Sequence, residues 1–160
     1  MVSHTSATGT VAKTDSATAV ELRFTAQPEH VRTARLVAVA LARRAGVEAG
    51  LLDEVRLAVG EACSRAVGLH QRHNPGEPVL VVLDTVTESF SGPGAGDRFL
   101  VSVADHVPGL PAQRDGQEPI DDLDDAEMGL AVLTGLVDDL DIRSGPTGGA
   151  ILMSWPIKEI

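Results

Sequence analysis

The chain has 160 residues, 43% hydrophobic and 22% charged, the size and balance of one globular domain, and with 2% aromatics its core must come from Val, Leu, Ile and Ala. A net charge of −10 excludes a general nucleic-acid binder, which needs a basic surface to neutralise phosphates. One cysteine, Cys63, excludes an internal disulfide, and no apolar run has the length of a signal core or a membrane span, so the chain reads as cytoplasmic and membrane-free.

Residues 1–19 are rich in Ser, Thr and Ala without periodicity and read as a flexible tail; the domain is expected over 20–157. Glu21 to Ala26 alternates polar and apolar, as a half-buried strand does. Pro28 suits the first turn of a helix, and Val31, Ala34, Ala38, Leu41 and Ala45 recur at helical spacing before Gly46 ends it. A second helix is expected from Leu51 to Leu69, with an apolar stripe of Leu51, Val55, Ala58, Ala62, Ala66 and Leu69. Glu54, Glu61, Arg65 and Gly68 form a polar line on one of its faces. Gly60 and Gly68 each cost ~1 kcal/mol against Ala inside a helix, which suggests close packing or room beside a ligand.

His70 to Glu77 reads as a turn-rich loop, and Pro78 to Val86 as a central strand built on a continuous apolar run. A Gly-rich connection follows, then an alternating strand from Arg98 to Asp105. Residues 107–127, with the acidic run Asp121 to Asp125, have the length of a lid loop. Met128 to Val137 is a third helix; Asp138 to Arg143 and Ala150 to Pro156 are two more strands around the turn from Ser144 to Gly149. Hairpin-connected strands and three helices predict an α+β two-layer sandwich: a mostly antiparallel mixed sheet with three helices on one face. Cys63, His70 and His73 lack the spacing and the fourth ligand of a zinc site, so Cys63 reads as core, His106 as structural, and no metal site is expected.

Four segments carry a resemblance. They are Leu57 to Val67 around Glu61 and Arg65; Val103-Ala104-Asp105-His106-Val107-Pro108-Gly109; Glu127-Met128-Gly129-Leu130-Ala131-Val132-Leu133 with the helix after it; and Ser144 to Ala150. In this order they resemble the boxes of the GHKL ATPases, the superfamily of gyrase, MutL and sensor histidine kinases. They resemble most closely the anti-sigma factor serine kinases of bacterial partner-switching systems. The resemblance implies roles. Glu61 matches the general base that activates a Ser hydroxyl or a water. Asp105 matches the carboxylate that binds the adenine amino group. Gly109 and Gly129 match glycines that let the backbone approach the nucleotide. Each also has a plain reading: Glu61 as a surface carboxylate, Asp105 as a cap for the turn into Pro108, Gly129 as a packing glycine.

The pattern departs at three places. Arg65 stands where the family has an Asn. An Asn carbonyl can ligate Mg²⁺, whereas a guanidinium has only donors and stays charged. Arg65 is spaced to pair with Glu61 one helical turn earlier. Val107 and Glu127 replace glycines, the first filling space and the second adding negative charge beside a triphosphate. The expected function is a kinase-like anti-sigma or partner-switching factor that binds a sigma factor or a STAS-domain antagonist. ATP binding would be weak, Mg²⁺-independent or absent. The resemblance also implies a homodimer. The alternative is an active serine/threonine kinase that phosphorylates its antagonist, with Glu61 as base and Arg65 contacting phosphate directly. A third option is a nucleotide sensor without turnover. Trp155, the sole tryptophan, is the expected optical reporter of nucleotide.

Overall fold

The structure, a computed structural model, describes residues 19–87, 97–107, 129–137 and 139–158. The expectations placed on residues 1–18, on the lid after Val107 and on Gly109 and Glu127 lie outside the described residues.

The chain forms β1 (Val20–Phe24), α1 (Glu29–Ala45), a 3₁₀ turn (Ala49–Leu51), α2 (Leu52–His73), β2 (Val79–Thr87) and β3 (Asp97–Asp105). A third helix, α3, is described over 129–136. The hairpin β4 (Asp139–Gly145) and β5 (Gly148–Pro156) follows. The strand order is β1-β2-β3-β5-β4, and all four pairings are antiparallel, so the expected sheet contains no parallel pair among the described strands.

Side chains alternate along each strand, and the register aligns those on the helix-facing side. Val81, Val103 and Ile151 form one row; Leu83, Val101 and Met153 form the next. Against these rows α1 buries Val31, Ala34, Ala38 and Ala42, and α2 buries Val55, Ala58, Val59, Ala62, Cys63, Ala66 and Val67. The many alanines let the helices lie close to the β-branched sheet surface. Leu133 of α3, and Val137 just after it, join the same core. Burying each larger side chain of this set contributes ~1.5–3 kcal/mol relative to exposure.

Gly46 ends α1 in the left-handed region at φ 107°, and its N–H closes on the carbonyls of Ala42 and Arg43. The β4–β5 turn is tighter than the sequence suggests. Gly145 pairs with Gly148, leaving only Pro146 and Thr147 outside the ladder. Gly148 sits at φ 148° against the Asp105 carbonyl, a place with no room for a Cβ.

Two further expectations change. Helix α2 runs to His73, four residues past Leu69, because His70 is buried and bonded rather than part of a loop. Trp155 is buried against Phe99 across the β3–β5 pair, with ring centroids 6.4 Å apart. It lies six residues along β5 from Gly149, ~20 Å at strand rise, and therefore reports folding rather than the site described next.

Candidate functional site

Asp105 is the last residue of β3 and pairs with Gly149 on β5. Strand alternation places it on the same side as Val103 and Val101, facing the helices. Its Oδ1 accepts two backbone hydrogen bonds, from Val107 N–H at 3.0 Å and from Gly149 N–H at 3.2 Å. Those two donors fix the carboxylate plane and leave Oδ2 to accept from something else. Gly149 keeps that oxygen accessible. A Cβ there would stand 2.8 Å from the Arg143 carbonyl oxygen and 3.3 Å from Asp105 Oδ2.

The helical wall comes from α2, where Arg65, Leu69 and His73 succeed one another at single-turn spacing. With Asp105, Val107, Ile142, Arg143, Ser144 and the start of β5 they enclose a cleft of about 250 Å³. Leu69, Val107, Ile142, Ala150 and Ile151 supply its apolar wall, while Arg65, His73, Asp105, Arg143 and Ser144 supply a polar share almost as large, with charges of both signs. Such a cleft suits a planar heterocycle that offers a donor to the aspartate. Val107, which stands in place of a glycine, is buried in this lining.

Arg65 is half-buried. Burial pulls its guanidinium pKa below the ordinary value, and the negative charge of Asp105 works in the opposite direction. Its Nε is enclosed and has no hydrogen-bond partner. The pairing with Glu61 expected from helical spacing does not form, because the Arg65 side chain belongs to the Asp105 cleft. Glu61 instead meets α3. A Cβ on Gly129 would lie 2.8 Å from Glu61 Oε2, so the carboxylate occupies the space that this glycine leaves open.

The structure thus brings the sequence-derived residues together in two groups. Arg65 and Asp105 share the cleft, and Glu61 and Gly129 touch one turn earlier on α2. Two further features escaped sequence reasoning. One is the β4 wall of Ile142, Arg143 and Ser144, which the hairpin register could have revealed, since Ser144 pairs with Gly149. The other is the backbone of His106, beside Asp105, whose N–H donates to His70 Nε2 and whose carbonyl accepts from Asn74 Nδ2.

Gly60, one residue before Glu61, has a packing role. Arg35 crosses from α1 so that its Cδ would lie 2.9 Å from a Cβ at this glycine. Cys63 beneath is wholly buried, and that burial pushes its thiol pKa up to about 12, against the lowering influence of Arg35. It is a core residue, as the sequence suggests. Among the described residues no group of three or more His, Cys, Asp or Glu side chains could hold a metal ion. Among them too, no helix is long and apolar enough to cross a membrane.

Residues 24–155 match the histidine kinase-like ATPase domain, and the chain belongs to that family. The chain is 25% identical over 148 residues to the serine-protein kinase RsbW of Oceanobacillus iheyensis, spanning 88% of this chain and 87% of that protein. The crystal structure of the RsbU and RsbW domains of a Mycobacterium tuberculosis protein has the same fold. It matches at TM-score 0.60 and 17% identity, over 89% of this chain and 33% of that longer one.

Proposed function

We propose that this protein is a regulatory binding factor of the partner-switching type, which holds a sigma factor or a STAS-domain antagonist and carries a degenerate ATP site. The observation that carries the reading is Arg65. By the family resemblance it stands where an amide oxygen would ligate Mg²⁺; its enclosed Nε lacks a partner, and it lines the cleft with Asp105. A cation that can only donate cannot hold another cation. Asp105 keeps a free oxygen for an adenine amino group, and Gly149 keeps it open, so a nucleotide would bind through its base, weakly and without metal.

Partner binding fits the outer surface of α1. Leu36 is the most exposed large apolar side chain among the described residues, at 60%. Arg32 and Arg43 are exposed on the same helix face. An apolar knob flanked by arginines suits an acidic patch on a protein partner, whose approach the chain's net charge of −10 otherwise opposes. The protein would work in the cytoplasm, as a domain spanning residues 20–157, and, as its resemblance to the anti-sigma factor kinases implies, as a homodimer.

The test is calorimetric titration with ATP, with and without Mg²⁺. Binding that is absent or indifferent to Mg²⁺ is expected. Saturable, Mg²⁺-dependent binding at micromolar ATP would overturn the reading. Arg65→Asn combined with Glu127→Gly should then restore Mg²⁺-dependent binding.

One observation favours the active-kinase reading. Glu61 is not occupied by Arg65; its Oε2 lies against Gly129, beside the opening of α3. A base in that position could serve phosphoryl transfer if Arg65 bound phosphate directly. ATP turnover that is lost in Glu61→Gln would establish it.

A further inference from the structure

His70 is completely buried near the end of α2, yet both of its ring nitrogens are engaged. Nδ1 meets the Glu77 carbonyl oxygen at 2.7 Å, and Nε2 accepts the His106 N–H at 2.9 Å. A carbonyl can only accept and an amide N–H can only donate, so these partners select one neutral tautomer, with the proton on Nδ1. One turn later Asn74 Nδ2 donates to the His106 carbonyl at 3.0 Å. The two imidazoles meet edge to face, with centroids 5.9 Å apart. The end of α2 therefore holds both backbone polar groups of His106.

His106 stands between Asp105 and Val107, whose N–H closes on Asp105 Oδ1. Helix α2 also bears Arg65, so the same helix carries one wall of the cleft and grips the backbone of the other. We propose that His70 and Asn74 are positioning residues: they fix the gap between Arg65 and Asp105 and hold Asp105 so that Oδ2 faces the cleft. This inference goes beyond the proposed function, because it holds for whatever ligand the cleft receives.

The test needs no ligand, so its failure is separate from failure of the ATP reading. Amide hydrogen exchange is followed by NMR in the wild type, His70→Leu, His70→Gln and Asn74→Ala. In His70→Leu, protection at Val107 and Gly149 should fall about tenfold relative to core amides such as Val101, the effect of losing roughly one buried hydrogen bond. His70→Gln should recover most of it, because its side-chain amide can donate to Glu77 and accept from His106. Asn74→Ala should give a smaller loss at the same two amides. Unchanged protection in His70→Leu, or no recovery in His70→Gln, would overturn the proposal. If His70→Leu does not fold, Asn74→Ala decides: intact protection at Val107 and Gly149 overturns it, and selective loss there supports it. A long-range ¹⁵N spectrum of wild-type His70 with the proton on Nε2 would also overturn it.

Discussion

Replacing Arg65 by Met removes the guanidinium and keeps an unbranched stem of similar reach. In the wild type Nε is enclosed without a partner, and burial weighs against the charge more than Asp105 supports it. An unsatisfied buried donor costs about 1–3 kcal/mol, and the low end applies because Arg65 is only half-buried and water reaches part of the head group. The attraction to Asp105 across a solvated cleft is worth well under ~1 kcal/mol. Arg65→Met should therefore stabilise the fold by about 1 kcal/mol and raise Tm by roughly 2–4 °C for a chain of this size. Urea denaturation followed by Trp155 fluorescence measures it directly, since that indole lies in the core and away from the cleft. Arg65→Ala, which also loses the stem, should gain less. If Arg65→Met lost 1 kcal/mol or more, Arg65 would be a structural ion-pair member rather than a strained group facing a ligand site, and the reasoning would fail.

Other outcomes follow from the packing. Cys63 holds its proton to about pH 12 in the fold against 9.0 in the open chain. Its contribution is complete below pH 9 and declines as pH rises from there towards 12, by ~1.4 kcal/mol per unit, because the unfolded thiol ionises and the buried one does not. Denaturation curves at pH 8 and 10 should differ by that much more in wild type than in Cys63→Ala; equal differences would contradict the burial of the thiol. Gly60→Ala should be near neutral in wild type, the helix gain of ~1 kcal/mol being offset by displacement of Arg35, and should stabilise by about that amount in an Arg35→Ala background. A double-mutant cycle with no coupling would count against that contact. Gly149→Ala, pressed on the Arg143 carbonyl at 2.8 Å, should cost about 1–3 kcal/mol, while Gly135→Ala, with nothing within 4 Å, should be neutral or stabilising. Equal effects in thermal melts would show that the approach to Gly149 is looser than described.

Periodicity and turn residues were enough to order the elements, because each strand and helix here has an unambiguous apolar pattern: the run Val79 to Leu83 for the central strand, the alanine stripe for α1. The site was legible only as residue types. Spacing put Glu61 and Arg65 one turn apart, but spacing fixes proximity of Cβ atoms, not which way two long side chains turn. The partners that decided it, Asp105 for one and Gly129 for the other, come from distant elements. His70 was misread for a similar reason. A His-Gln-Arg-His run after Gly68 has the composition of a helix end, and what lets the imidazole stay buried is a carbonyl from Glu77 and an amide from His106. The β4 wall depended on hairpin register, which the Pro-Thr turn sets and composition does not.

The double acceptance by Asp105 Oδ1 has a consequence for reading relatives of this chain. That one oxygen stitches the start of β5 to the segment leaving β3, so a lineage that abandoned nucleotides altogether would still need an acceptor at this place to keep the hairpin seated. An aspartate here is therefore a poor witness to ATP use. Arg65 satisfies no other group with its enclosed nitrogen, and the identity of the residue at that helix position is the more telling mark of what the fold has been retained to do.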